Sequence, residues 1–172
     1  MIEKNTTLYK LMVLFMLERV DAPMTSVQFS NFILENNYTD YFTLQLSLTE
    51  LEESGLVKTE HVINRTLYSI TDAGLNTLEY YNDRISAEIK LEMMDFLKVN
   101  KIAIKEEVSV IADYFANNND GYTTRCQIRD KNIPIIDLSI NVNTVEQAEA
   151  ICLRWNEKHY DVYEYLMDML MN

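Results

Sequence analysis

Leu44-Gln45-Leu46-Ser47-Leu48-Thr49-Glu50-Leu51-Glu52-Glu53-Ser54-Gly55-Leu56-Val57 leads, through a polar hairpin, to Tyr68-Ser69-Ile70-Thr71-Asp72-Ala73-Gly74. Leu44, Leu48 and Leu51 repeat at helical spacing and define one apolar face. Phe42, Leu44, Leu46 and Leu48 also alternate with polar residues, as a strand would. The Glu-Glu-Ser-Gly ending continues the helical period and decides for helix. Gly55 follows the last turn, where a left-handed residue commonly stops a helix. Leu56, Val57, Val62 and Ile63, then Leu67, Tyr68 and Ile70, supply two β-prone runs. Asn64-Arg65 is the expected hairpin tip. Thr71 caps a further helix, with Asp72 favourable in its first turn. The order is therefore helix, glycine stop, strand, turn, strand, capped helix.

Working toward the N-terminus, Asn5 or Thr6 is the expected start of a helix with Leu8, Leu11, Met12 and Phe15 on its inner face. Asp21-Ala22-Pro23 ends it. Thr25-Ser26-Val27-Gln28 is a capping-box pattern that opens a second helix carrying Phe29, Phe32 and Ile33. Asn36-Asn37-Tyr38 turns the chain, and Thr39 is read as the cap of the third helix. Three helices followed by a hairpin resemble a winged helix-turn-helix fold, the plainer alternative being a local helix-hairpin-helix with no role on DNA. Toward the C-terminus, a helix from Thr71 carries Leu75 and Leu78. Another, with Ile85, Ile89, Met93 and Phe96, links or dimerises. The period changes from Ile102. Val108, Val110, Ala112 and Tyr114 alternate, Asn117-Asn118-Asn119-Asp120-Gly121 is a loop, and Tyr122, Thr124, Cys126 and Ile128 share a strand face. Ile136, Leu138, Ile140 and Val142 form the third strand of an antiparallel meander. Thr144-x-x-Gln147 caps a helix with Ala148, Cys152 and Trp155 inward. His159 or Tyr160 is expected to break it from a final helix carrying Val162, Leu166 and Leu170. The expected class is α+β. Its parts are a winged helix-turn-helix domain over 1–82, a linking helix over 83–100, and an α+β domain over 101–172 of three strands plus two helices.

Composition narrows the function. The chain has 172 residues, 48% of them hydrophobic, with three Gly and two Pro. No run of about 18 apolar residues marks a transmembrane helix. Met1 to Asn5 lacks the pattern of a secretory leader. Cys126 and Cys152 read as packed, reduced thiols in a cytoplasmic protein. The net charge is −12 and is evenly spread: residues 1–82 hold five Lys and Arg against eleven Asp and Glu. A protein that neutralises phosphates carries a local basic stripe. With only Lys4, Lys10, Arg19, Lys58 and Arg65 in that half, affinity for double-stranded DNA is expected to be weak and salt-sensitive.

The segment Thr43 to Gly74 resembles winged-helix regulators of the padR-like and marR-like kinds, through Leu44, Leu48, Leu51, Gly55, Leu56, Tyr68, Ile70, Thr71 and Gly74. The whole chain resembles an uncharacterised bacterial family known only as a domain of unknown function, through Asn36 to Leu44 and Gly121 to Cys126. That resemblance implies a winged-helix half, a smaller α+β half and a role in transcription. The departure is a third helix without Lys or Arg, flanked and filled by Asp40, Glu50, Glu52 and Glu53.

The residues expected to meet DNA are Thr39, Phe42, Thr43 and Leu46 on the outer side of the third helix, with Ser47 at its edge. Lys58, His61, Asn64 and Arg65 join them from the hairpin. Hydroxyls donate to phosphate or base, apolar groups touch thymine methyls, and wing cations meet phosphate. The competing reading packs Phe42 and Leu46 on a protein partner. Arg125, Gln127 and Arg129 share one sheet face, either as an anion or ligand site or as an ion-pair ladder with Asp113 and Asp137. His61 and His159 fall in different domains and fit no zinc spacing. No glycine-rich phosphate loop is present. The reading is a homodimeric transcriptional regulator, not an enzyme, without cofactor or metal, open to a small-molecule effector or protein partner. The alternative is an interaction module of the same fold that does not bind DNA.

Overall fold

A computed structural model describes residues 2–172. Met1 and the side chains of residues 2–5, which figure in the leader, charge and helix-start readings above, lie outside the described residues. Among the described residues are six α-helices and two three-stranded antiparallel sheets, an α+β composition. The chain divides into two units, Met1–Lys105 and Glu106–Asn172.

The first unit opens with α1 (Ile2–Val20). Its backbone is helical from Ile2, earlier than Asn5 or Thr6. Every side chain from Leu11 to Leu17 is buried, so the helix is enclosed all round rather than along one face. Asp21 takes a left-handed conformation at φ 53°, and its N–H returns to the Leu17 carbonyl (3.0 Å). Lys101 Nζ satisfies the Arg19 carbonyl at the same end (2.8 Å). The short strand β1 (Met24–Thr25) leads into α2 (Ser26–Ile33) through the expected capping box of Thr25 and Gln28. Gln28 does double duty. Its Oε1 accepts from Thr25 N (3.0 Å), and its Nε2 donates to the Ile104 carbonyl (3.3 Å).

Asn37 (φ 57°) stops this helical segment, with Asn37 N bonded to Leu34 O and Tyr38 N to Ile33 O. Helix α3 (Tyr41–Glu53) is capped by Asp40, whose carboxylate accepts from Thr43 N (2.8 Å). Thr39, one residue too early for that bond, is not the cap. Leu44, Leu48 and Leu51 are fully buried. Gly55 (φ 71°) ends α3, with Gly55 N on Glu52 O and Leu56 N on Leu51 O, the paired bonds of a Schellman stop.

Strands β2 (Val57–Val62) and β3 (Arg65–Ile70) pair from Val57↔Ile70 to Val62↔Arg65, and β1 joins the other edge of β3. The tip is Ile63-Asn64, not Asn64-Arg65, because Arg65 is the first paired residue of β3. Thr71 caps α4 (Asp72–Tyr81), its hydroxyl accepting from Gly74 N (3.1 Å). A Cβ on Gly74 would lie 2.1 Å from Leu56 O and 2.8 Å from Ile70 Cγ1, so only glycine lets α4 start this close to the hairpin.

A 3-10 turn (Asn82–Arg84) separates α4 from α5 (Ala87–Ser109). Ile85, Met93, Leu97 and Ile104 enter the same core as α1, and the Phe96 ring meets that of Phe32 at a tilt of 50°, centroids 5.2 Å apart. Helix α5 runs past Ile102, where a change to strand period was expected. Val108 still packs as a helical residue, and strand begins only at Val110.

The second unit is a meander of β4 (Val110–Ala116), β5 (Tyr122–Asp130) and β6 (Ile133–Val142) with α6 (Val145–Met171) packed on it. Registers such as Ala112↔Cys126↔Leu138 set the apolar face expected from the alternation. Thr144 and Gln147 form the capping box of α6. The break expected at His159 or Tyr160 is absent. Neither residue removes a helical hydrogen bond, no Gly or Pro follows Pro134, and the His159 ring lies over the Trp155 carbonyl of the preceding turn (3.1 Å). One helix of 27 residues replaces the two.

Candidate nucleic-acid interface

The apolar stripe of Leu44, Leu48 and Leu51 fixes which side of α3 faces outward. Phe42 is 82% exposed, the largest exposure of any phenylalanine side chain, and Leu46 is 47% exposed. Thr43 is half-buried at their side, and Thr39 is half-buried just before the cap. Ser47 is a correction: it is completely buried, and its hydroxyl donates to the Thr43 carbonyl (2.8 Å). Three residues past Leu44, it falls beside the helix's inner stripe, where the bond to the backbone satisfies its buried hydroxyl. Tyr41, missed by the sequence reading, is 56% exposed and meets Phe42 edge-to-face at 5.8 Å. The outward patch is therefore two rings and a leucine. Helical period gave no signal of it: Tyr41 lies three residues before Leu44 and seven before Leu48, on the side of the leucine stripe, and is exposed in the first turn of the helix.

The acidic residues of α3 are partly engaged. Glu50 pairs with Lys10, and Glu52 accepts from the Thr59 hydroxyl. Asp40 is held below the ordinary carboxylate range by the Thr43 N–H that it caps, so it stays ionised at the helix start. Beside it Tyr38 donates to Glu92, and burial first, then that carboxylate, pushes the phenol up to about 12.

On the hairpin, Val57, Tyr68 and Ile70 share one face and pack on the core, while pairing puts Lys58, Glu60 and Arg65 on the other, together with the buried Val62, Leu67 and Ser69. His61 stands on the core-side parity near the tip, and its Nδ1 lies 3.0 Å from the Thr66 hydroxyl. Asn64 is exposed at the tip. Lys58 and Arg65 thus share a face, and His61 does not join them. The backbone at Ile63 is left-handed (φ 56°), an unusual state for a β-branched residue.

In the second unit the sheet face of Arg125, Gln127 and Arg129 is a polar network. Arg125 forks onto Asp137 (Nε to Oδ1 2.9 Å, Nη2 to Oδ2 2.6 Å), and Gln127 Nε2 donates to the same carboxylate (2.8 Å). Arg129 Nη1 donates to Gln127 Oε1 (2.9 Å). The Arg125 guanidinium is the main reason that Asp137 titrates below its usual range. Arg129 Nη2 donates to the Asn132 carbonyl (3.2 Å). On the opposite face, burial pushes the Cys126 thiol up to about 12 and raises Cys152 as well, which leaves both protonated near neutrality.

No helix among the described residues is long and apolar enough to cross a membrane. No curated protein and no solved structure matches the chain. A family described as a domain of unknown function (DUF4364) matches residues 9–170, nearly the full length, and the chain belongs to that family.

Proposed function

We propose that this protein is a DNA-binding transcriptional regulator whose first unit is a winged helix-turn-helix domain, related in plan to padR-like and marR-like regulators and acting in the cytoplasm as a homodimer. The observation that carries the reading is the arrangement around α3. The succession α1, β1, α2, α3, β2, β3, with sheet order β1-β3-β2, leaves the outer side of α3 free and sets a hairpin bearing Lys58 and Arg65 next to it. In such domains the third helix enters a major groove and the hairpin reaches the backbone. Thr43 supplies a hydroxyl, Phe42 and Leu46 supply contacts for thymine methyls, and Lys58, Asn64 and Arg65 supply backbone contacts. Two copies place two such helices on successive half-sites.

One observation favours a second reading, a protein-interaction module of the same plan. Tyr41, Phe42 and Leu46 form an exposed apolar patch, and α3 carries no cation. Hydrophobic patches of this kind are common protein docking surfaces.

Selection from sheared genomic DNA at low salt tests the first reading. Enrichment of a few promoter fragments, lost as salt rises and lost in the Lys58→Ala, Arg65→Ala double variant, supports it. No retention at low salt rejects it. Loss of a captured protein partner in Phe42→Ser, Leu46→Ser, with DNA retention absent, supports the second.

A further inference from the structure

The second unit contains a trough between α6 and the sheet that plays no part in the reading above. Its volume is about 450 Å³. Leu138 and Ile140 on β6 and Ile151, Trp155 and Val162 on α6 give it apolar walls. The α6 residues that line it run from Gln147 to Val162, a length of about 22 Å at the rise of an α-helix. Sites for small ligands have volumes of this order and apolar walls with a few polar groups that fix orientation.

The polar groups here are cations. Arg154 and Lys158 line the trough one helical turn apart. Arg154 is exposed and makes no hydrogen bond or ion pair among the described residues. Lys158 meets Asp161 at 3.2 Å, but both side chains are mostly exposed, and such pairs are worth little. In a chain of net charge −12, Lys10 pairs with Glu50 and Arg125 with Asp137, whereas Arg154 is left to solvent. An unpaired guanidinium above an apolar trough is complementary to an anion attached to a hydrocarbon body. Its planar fork matches a carboxylate.

We propose that this trough binds an alkyl carboxylate. The chain lies along Leu138, Ile140, Ile151 and Trp155, and the carboxylate meets Arg154 and Lys158. The inference does not depend on DNA binding.

Trp155 is the one tryptophan of the chain and lines the trough, so its emission reports occupancy. The full chain is titrated with octanoate, decanoate and decanol below their aggregation limits. The expected result is a saturable emission change for the acids, with affinity rising about fourfold per added methylene. Decanol is expected to bind at least tenfold more weakly than decanoate. The Arg154→Ala, Lys158→Ala double variant removes only exposed side chains, and is expected to lower decanoate affinity at least tenfold while leaving decanol unchanged. Ala150→Trp, placed in the trough wall, is expected to block both. The proposal is overturned if decanoate causes no saturable change, or if decanol equals decanoate in both proteins. It is also overturned if emission follows protein concentration rather than ligand, which would make a second copy of the chain the occupant.

Discussion

The indole Nε1 of Trp155 donates to the backbone carbonyl of Gln127 at 3.2 Å, joining α6 to the central strand of its sheet. The bond sits beside the register shift at Ile128/Arg129, where an irregularity disrupts the regular ladder. A side chain 5% exposed thus supplies a donor to a buried strand.

Trp155→Phe keeps an aromatic ring but removes that donor. Leaving a buried carbonyl without its partner costs about 1–3 kcal/mol. Urea unfolding should show this loss through a lower midpoint at an unchanged slope. An unchanged midpoint would mean that the indole bond contributes nothing net.

Two glycines separate two mechanisms. Gly55→Ala meets no atom within 4 Å but must hold φ 71°, a strain of about 1–2 kcal/mol. Gly55→Asn should recover part of it. Gly74→Ala drives a methyl into the Leu56 carbonyl, an overpacking cost of about 1–3 kcal/mol or more. Asn at that position should make matters worse. Thermal melts of the four variants would reveal the crossing pattern; a rescue by Gly74→Asn would refute the steric account.

Ile63 holds φ 56° at the hairpin tip. Ile63→Asn, a residue that visits this region readily, should stabilise the first unit by about 1 kcal/mol. Amide exchange of β2 and β3 is the direct readout, and faster exchange in the variant would contradict the strain.

Asp137 titrates below its ordinary value of 3.8, chiefly because Arg125 donates to it. A carboxylate depressed on folding adds stability above the unfolded value and loses it as pH falls through the folded one. Asp137→Asn should therefore be less stable than the parent at pH 6, and the gap should close as pH drops below 3.8. A gap independent of pH would assign the effect to packing instead.

The local order of elements was legible because each end carries its own chemistry. Thr25 with Gln28, Gly55, Thr71 and Thr144 with Gln147 mark starts and stops by bonds within a few residues, and the structure has each of them. What stayed illegible depends on partners distant in sequence. Nothing near Leu11 to Leu17 announces that α1 is covered on every side, because its cover comes from α3, β3, α4 and α5. Ser47 looked outward by chemistry, and packing turned it inward. The helix expected to break at His159 continues because a polar ring can fold onto its own backbone. Arg154 and Lys158 escaped notice because a cleft beside them needs β6 to exist. Their spacing of four residues, interleaved with Ile151, Trp155 and Val162, is the signal that was available.

The enclosure of α1 has a consequence for biosynthesis. Its seven consecutive buried side chains leave the ribosome well before α3, α4 and the Met93, Leu97 and Ile104 positions that shelter them. At about 5–20 residues per second, the gap lasts on the order of several seconds. During that interval the nascent chain carries a run of seven apolar residues with nothing from the later elements to cover it.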